Sequence, residues 1–86
     1  MDSLSICTLN VRGIRNRLKR KSLFDLLKKK RLDIICLQET YIIEKDVDQW
    51  EREWGGLIFH SSVSTHSMGQ VILIRKGKNG TIWILT

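Results

Sequence analysis

Residues 33–41 read DIICLQETY, an apolar run that stops abruptly at polar residues. Its first part, residues 34–37, is a short continuous apolar segment, which is typical of a β-strand covered on both faces. Its end consists of Gln38, Glu39 and Thr40, side chains that a buried strand does not accommodate without partners. We therefore expect a buried strand that presents the Glu39 carboxylate at the rim of the fold.

A strand and a helix precede this segment. SLSICTLN (3–10) mixes apolar and polar residues in the manner of a buried strand that ends near Asn10. Gly13 follows it and prevents the strand from continuing. RLKRKSLFDLLKKK (17–30) has apolar residues at helical spacing, and Asn16 is suited to cap its start. Strand, helix and strand predict a βαβ unit whose two strands are parallel and neighbouring.

The second half predicts one more helix and several antiparallel strands. EKDVDQWEREW (44–54) places Trp50 and Trp54 at helical spacing, which indicates packing residues rather than a base-stacking platform. The remaining segments are predicted as a strand over 57–61, a polar loop over 62–67, and strands over 70–76 and 81–86 joined by a hairpin at Asn79–Gly80. An apolar last strand without a protecting charge predicts that the chain stops inside a larger fold.

The positive charge is concentrated in one segment. Residues 12–31 hold ten basic side chains against Asp25 alone, a net charge of +9, whereas the whole chain carries +6. Such a patch is expected where a surface meets phosphates, although a solvated helix face gives the same pattern. The basic residues expected to contact nucleic acid are Arg12, Arg15, Arg17, Lys19, Arg20 and Lys21.

Other features of the sequence indicate an intracellular protein. No signal peptide and no run long enough to cross a bilayer is present, so no membrane association is expected. Cys7 and Cys36 lie in apolar runs and are predicted to be reduced core residues. His60 and His66 lack a carboxylate or cysteine at ligand spacing, and we expect both to be incidental.

Asn10 and Glu39 end the two parallel strands and form the candidate site. Ligands bind outside the carboxyl ends of strands in open α/β sheets, and a carboxylate beside a carboxamide suits a hard cation such as Mg²⁺. Gln38 and Thr40 are possible supports that hydrogen-bond the ligating carboxylate or a substrate phosphate. Asn10 could instead close a turn, and Glu39 could be an ordinary acid at a strand end.

Three segments together resemble a known family. LNVRGI (9–14), LDIICLQETY (32–41) and GQVILIRK (69–76) are similar to the start of an endonuclease/exonuclease/phosphatase domain of the exonuclease III and deoxyribonuclease I type. The likeness is strongest to the apurinic-type endonuclease of LINE retrotransposons. It implies an α/β fold in which residues 1–86 are the N-terminal fragment of a four-layer sandwich with two mixed sheets, truncated at the C-terminus.

The resemblance also implies a chemistry. Asn10 and Glu39 match active-site residues of a DNA phosphodiesterase, with Glu39 binding Mg²⁺ or Mn²⁺, DNA as partner and the nucleus as location. The matching family has His where Tyr41 stands, which leaves the role of Tyr41 open, and Gln70 interrupts a run of small residues. The later catalytic motifs of the family do not occur in residues 42–86, so the isolated chain is expected to be inactive.

Two other functional classes and one neutral outcome stay open at this stage. A basic module could bind nucleic acid without catalysis, and a superfamily member could act on phosphoinositides or sphingomyelin. The chain could also be a decayed fragment without a selected function. No obligate protein partner is implied beyond the remainder of the same domain.

Overall fold

The computed structural model describes residues 4–64 and 67–76 and shows a mixed sheet with helices. In chain order the elements are β1 (Ile6–Asn10), α1 (Arg17–Lys29), β2 (Ile34–Gln38), a 3₁₀ turn (Glu44–Asp46), α2 (Val47–Trp54), β3 (Leu57–Ser64) and β4 (Ser67–Ile74). The strand order is β1-β2-β4-β3. β1 and β2 are parallel, whereas β4 is antiparallel to both of its neighbours. The predicted α/β class and the βαβ start are confirmed, and the four-layer arrangement stays a prediction.

Helix α1 begins and ends where its sequence directs. The Asn16 side chain accepts a hydrogen bond from the Lys19 backbone N–H at 3.0 Å, which satisfies one of the free donors of the first turn. Lys28 and Lys29 lie in the last turn, where free carbonyl groups favour positive charge. Phe24 and Leu27 are the apolar residues that the helix buries.

The core lies between one face of the sheet and the two helices. Ile35, Leu37, Val71, Leu73 and Ile58 supply the sheet side, and all are buried. Phe24 of α1 meets Trp54 of α2 edge to face, with ring centroids 5.8 Å apart. Trp54 also donates its indole N–H to the Ile74 carbonyl at 3.1 Å, so the ring is buried with its polar group satisfied. Trp50 and Trp54 are therefore packing residues, as predicted.

The opposite face of the sheet is apolar and open. On it the register aligns Thr8, Cys36, Ile72 and Phe59 across the four strands. Ile6 lies on the same face, two residues before Thr8. Ile6 is 63% exposed and Phe59 49% exposed. Two expectations fail here: β1 is a partly exposed edge strand rather than a buried one, and neither free cysteine is a fully buried core residue.

The antiparallel half differs from its prediction at the connection between its strands. The polar loop expected over 62–67 is wrong at both ends, because β3 continues to Ser64 and pairs with β4, which begins at Ser67 rather than at Gln70 and ends at Ile74. Val63 alternates with serines there, so the segment is a strand with one weakly apolar face. His66, the Asn79–Gly80 hairpin and the last predicted strand (81–86) lie outside the described residues. In the part described, no helix combines the length and the apolar composition that membrane crossing needs.

Candidate metal and phosphate site

Strands β1 and β2 end side by side. Their register pairs Asn10 with Gln38, and the Val11 N–H donates to the Gln38 carbonyl at 3.0 Å beyond the last pair. Since parallel strands present their carboxyl ends at the same edge of a sheet, the two predicted site residues meet there.

A β-bulge at the end of β2 redirects Glu39. Leu37 pairs regularly with Val71 of β4, but the next backbone contact joins the Thr40 N–H to the Gly69 carbonyl at 2.9 Å. Gln38 and Glu39 together therefore lie opposite Gln70 alone, which is the two-against-one pattern of a bulge. Glu39 takes a left-handed backbone conformation, with φ at 55°. This conformation turns its side chain out of the strand pattern and toward β1.

The Glu39 carboxylate meets the Asn10 carboxamide at this edge. Asn10 Nδ2 donates to Glu39 Oε2, and Asn10 Oδ1 accepts the Arg12 backbone N–H at 3.2 Å. The reverse orientation of the amide would place two acceptor oxygens together and leave that N–H without its acceptor. Asn10 thus positions Glu39, and its own oxygen is already engaged. A carboxamide oxygen has a second lone pair, so the expectation that both side chains contribute an oxygen to a metal ion stays a prediction.

Thr40 supports the site through the backbone instead of the carboxylate. It is fully buried, donates its hydroxyl to the Gly69 carbonyl at 2.9 Å and accepts the Ile42 N–H at 3.2 Å. Gly69 has a φ of +81°, and a Cβ there would lie 3.0 Å from Thr40 Oγ1. Gln38 is exposed, and within the described part of the chain its side chain does not bond to Glu39. Among the described residues neither side chain bonds the Glu39 carboxylate, and their contact with a substrate phosphate stays a prediction.

Unusual backbone conformations are concentrated around this edge. Arg12, Glu39 and Tyr41 have positive φ values, and Gly13 and Gly69 beside them do as well. The Gly13 N–H donates to the Glu39 carbonyl, which fastens the turn after β1 to the bulge. Conformations of this kind cost free energy and persist where the surroundings hold them, which is common at functional sites.

Five of the six basic residues that we expect to contact nucleic acid are exposed, and their contact with nucleic acid stays a prediction. Arg12 and Arg17 are exposed, and the Lys19 ammonium lies 3.3 Å from the Arg12 carbonyl. Arg15 pairs with Asp46 at 3.1 Å, and Lys21 pairs with Asp25 at 2.9 Å. These two pairs are solvent-exposed on the basic side, so they leave the cations accessible to phosphate.

Arg20 does not belong to that surface. Only 3% of the residue is exposed, and its guanidinium forms two bonds with the Glu53 carboxylate, at 2.6 and 3.0 Å. It also bonds the Ile14 and Arg15 carbonyls and lies 5.0 Å from the centre of the Trp50 ring. Hydrogen bonds from Arg20 lower the pKa of Glu53 despite its partial burial. Arg20 therefore links α1 to α2.

Glu53 is the residue that the sequence prediction missed. It lies three positions after Trp50 and directly before Trp54, on the face that α2 turns toward α1. A carboxylate on an apolar helical face requires a cationic partner, and that requirement is the signal that could have identified Arg20 as buried.

The donor set fits a metal ion that needs few protein ligands. Within residues 4–64 and 67–76, no group of three His, Cys, Asp or Glu side chains is arranged to hold a metal. Glu39 alone offers a carboxylate at this edge, and no described donor bonds its Oε1. Mg²⁺ is commonly held by one or two carboxylates, with water and substrate phosphate completing its shell. His60 lies elsewhere, with its Nε2 3.4 Å from the Glu44 carboxylate, and its expected incidental character stays a prediction.

Two surface cavities lie away from this edge. One of about 230 Å³ is lined by Arg17, Lys21, Phe24, Asp25 and Glu53, and another of about 200 Å³ adjoins Trp54 and Arg75. Neither includes Asn10 or Glu39.

Comparisons with known proteins show which family the chain resembles. Residues 7–84 match the model of the Endonuclease/Exonuclease/phosphatase family. The chain is also 32% identical over 71 residues to the transposon TX1 uncharacterized 149 kDa protein of Xenopus laevis. That alignment covers 83% of this chain and 5% of the length of the relative.

Proposed function

The chain belongs to the endonuclease/exonuclease/phosphatase family, and we propose that it is part of a metal-dependent DNA phosphodiesterase of retroelement origin. The observation that carries the proposal is the Glu39 carboxylate, held by Asn10 at an exposed sheet edge next to basic side chains. The family itself comprises hydrolases, both nucleases and phosphatases. The transposon relative favours the nuclease branch.

In this proposal each residue at the edge has a defined task. Glu39 would hold Mg²⁺ or Mn²⁺ through Oε1, while Asn10 fixes the carboxylate through Oε2. The metal, when bound, would stabilise negative charge on the phosphate. Arg12 lies next to the edge and would attract the DNA backbone, together with Arg15, Arg17, Lys19 and Lys21.

The same proposal limits what these residues can do alone. One carboxylate that binds a metal cannot also activate the attacking water. The described residues hold no cluster of three His, Cys, Asp or Glu side chains that would supply further groups. We therefore propose that further residues of the same domain complete the site and that residues 1–86 by themselves bind metal without cleaving DNA. We place the complete protein in the nucleus, where its substrate is found.

Metal binding tests this assignment without requiring catalysis. The full chain is titrated with Mn²⁺, and the free ion is followed by electron paramagnetic resonance. We expect Glu39→Gln to abolish the site, and Asn10→Ala to weaken it about tenfold or more because the carboxylate loses its orienting partner. Glu51→Gln, which changes an exposed glutamate of α2, is the matched control and should bind as the unaltered chain does. Equal binding by Glu39→Gln and Glu51→Gln would overturn the proposal.

A nicking assay separates the proposed nuclease from its rivals. We expect no cleavage of supercoiled DNA by the isolated chain with Mg²⁺. Cleavage that Glu39→Gln abolishes would place the whole site within these residues. DNA binding that is independent of divalent ions, unaffected by Glu39→Gln and lost on neutralising Lys19 and Lys21 would instead support a non-catalytic basic module. Release of phosphate from a phosphoinositide would favour the lipid-directed branch.

A further inference from the structure

Tyr41 is an exposed aromatic residue beside the candidate site that the proposed metal chemistry does not use. It lies two positions after Glu39 and is 40% exposed. Its backbone is fixed, since its N–H donates to the Met68 carbonyl at 2.9 Å and Thr40 before it is fully buried. The side chain therefore projects from an anchored segment.

The ring is held at both ends. A Cβ on Gly13 would come within 3.0 Å of Tyr41 Cδ2 and 3.4 Å of Cε2, so this edge of the ring lies close against the Gly13 backbone. At the other end, the hydroxyl lies 3.8 Å from the Met68 sulfur. The ring thus spans the gap between the turn after β1 and the start of β4, with part of its surface open to solvent.

The backbone conformation of Tyr41 is unfavourable for its residue type. Its φ is 59°, in the left-handed region that bulky side chains rarely occupy. Glycine or asparagine would adopt this conformation more easily. An exposed ring contributes little to the core, so burial does not explain why a tyrosine occupies the position. A strained aromatic residue beside a candidate site suggests a role in binding.

The surroundings define the ligand. Arg12 precedes Gly13, so a cationic side chain emerges next to the residue that the ring touches. Glu39 and the ring project from the same three-residue segment. These groups match the parts of a nucleic-acid strand. The carboxylate would hold a metal at the scissile phosphate, the guanidinium would bind the adjoining phosphate, and the open ring would stack on a base.

We propose that Tyr41 stacks on a nucleobase next to the phosphate that Glu39 would receive through its metal ion. This inference rests on the proposed function and adds the direct contact with a base. Stacking is tolerant of sequence, because every base has an aromatic face. Tyr41 is then a substrate-binding residue that holds an unpaired or distorted nucleotide at the site.

The experiment compares ligands with and without bases. Fluorescence anisotropy measures binding of the full chain, with Ca²⁺ present, to a labelled single strand of about ten nucleotides. A strand of the same length made of abasic sugar-phosphate units carries the same charge without a base. We expect Tyr41→Ala to weaken binding of the first strand about tenfold and to leave binding of the abasic strand unchanged. Tyr41→Phe, which keeps the ring, should bind both strands as the unaltered chain does.

Two further variants keep the result interpretable. Phe59→Ala removes an exposed aromatic ring from the open sheet face and should leave binding of both strands unchanged. Tyr41→Gly suits the left-handed backbone, so it should retain the fold and still lose the preference for bases.

Equal weakening of both strands by Tyr41→Ala and Tyr41→Gly, or no weakening at all, would overturn the inference. Failure of the proposed function would give a different result. Mn²⁺ binding would then survive Glu39→Gln, both in the unaltered chain and in the Tyr41 variants.

Discussion

Two polar pairs join distant parts of this chain, and they lie in opposite environments. Asn10 and Glu39 meet at an open sheet edge, where the turn around them holds several unfavourable backbone conformations. Arg20 and Glu53 meet between the two helices, where the guanidinium is almost completely buried and bonded to both carboxylate oxygens. The first pair leaves one carboxylate oxygen available for a ligand. In the second pair, the two charges neutralise each other inside the protein.

The difference teaches how to separate binding residues from structural ones in a basic segment. Arg12 and Arg20 are eight positions apart and contribute equally to the net charge. Only Arg12 can meet a phosphate, because Arg20 is enclosed by Trp50, Glu53 and two carbonyl groups. Charge along the sequence therefore overestimates the charge that a partner encounters.

The largest expected effect comes from breaking the buried pair. Glu53→Ala leaves the Arg20 guanidinium buried without its counter-ion, and we expect a loss of about 3 kcal/mol in the free energy of unfolding. Urea unfolding followed by tryptophan fluorescence measures it. Glu51→Ala on the exposed side of α2 is the control and should change little. The double change Arg20→Met with Glu53→Leu should recover most of the loss, and failure to recover it would contradict the ion-pair interpretation.

Acid should weaken the same pair. Hydrogen bonds from Arg20 lower the pKa of Glu53, and hydrogen bonds from Ser5 and Arg75 lower the pKa of Asp33. A carboxyl group whose pKa is lowered on folding stabilises the fold above its unfolded pKa and loses that contribution as the pH falls through its folded pKa. We expect stability to decline from about pH 4.5 downward. Glu53→Gln should flatten that decline when unfolding is measured across the acid range, and an unchanged slope would count against the assignment.

A smaller effect is expected at the strand-end site. Gly13 has a φ of +85°, and a Cβ there would approach the Tyr41 ring, so Gly13→Ala should cost about 1–2 kcal/mol. Gly55→Ala offers a close control, because its φ of +79° carries the same backbone cost with no atom near the added Cβ. Thermal unfolding should show a larger loss for Gly13→Ala than for Gly55→Ala. When Tyr41→Ala is added to both variants, Gly13→Ala and Gly55→Ala should lose the same stability. A loss that stays larger for Gly13→Ala would show that the Tyr41 ring is not its cause.

The smallest effect is expected for an exposed pair. Lys21 and Asp25 are four residues apart on the outer side of α1, at 2.9 Å. Exposed pairs of this kind contribute little to stability, so Lys21→Gln should leave the unfolding midpoint unchanged. If Lys21 faces DNA, the same variant should reduce the dependence of DNA affinity on salt by about one counter-ion. A shifted unfolding midpoint with an unchanged salt dependence would assign Lys21 to the fold instead.

Much of the architecture followed from the sequence because its signals are local. Asn16 caps α1, the apolar spacing places Phe24 and Leu27 inside, and Trp50 and Trp54 pack as their spacing predicts. The meeting of Asn10 with Glu39 also followed, since parallel strands bring their carboxyl ends together.

The parts that were missed depend on pairing between distant segments. No pattern within residues 33–41 reveals that Gln38 and Glu39 lie opposite a single residue of β4, yet that bulge sets the direction of Glu39. The burial of Arg20 likewise depends on a carboxylate 33 positions away. The extension of β3 to Ser64 depends on pairing with β4, because serines beside Val63 resemble a loop when taken alone.

The bulge also offers a way to alter the site through chain length. Buried residues alternate regularly on each side of the bulge, as Ile35 and Leu37 before it and as Thr40 and Ile42 after it. Between Leu37 and Thr40 there is one more residue than this alternation requires. Deleting Gln38 would let Thr40 and Ile42 keep their inward positions in an uninterrupted strand, while Glu39 would follow the open face instead of turning to Asn10. We expect a chain shortened by one residue to retain its core and to lose the contact between Glu39 and Asn10 on which the proposed metal site depends.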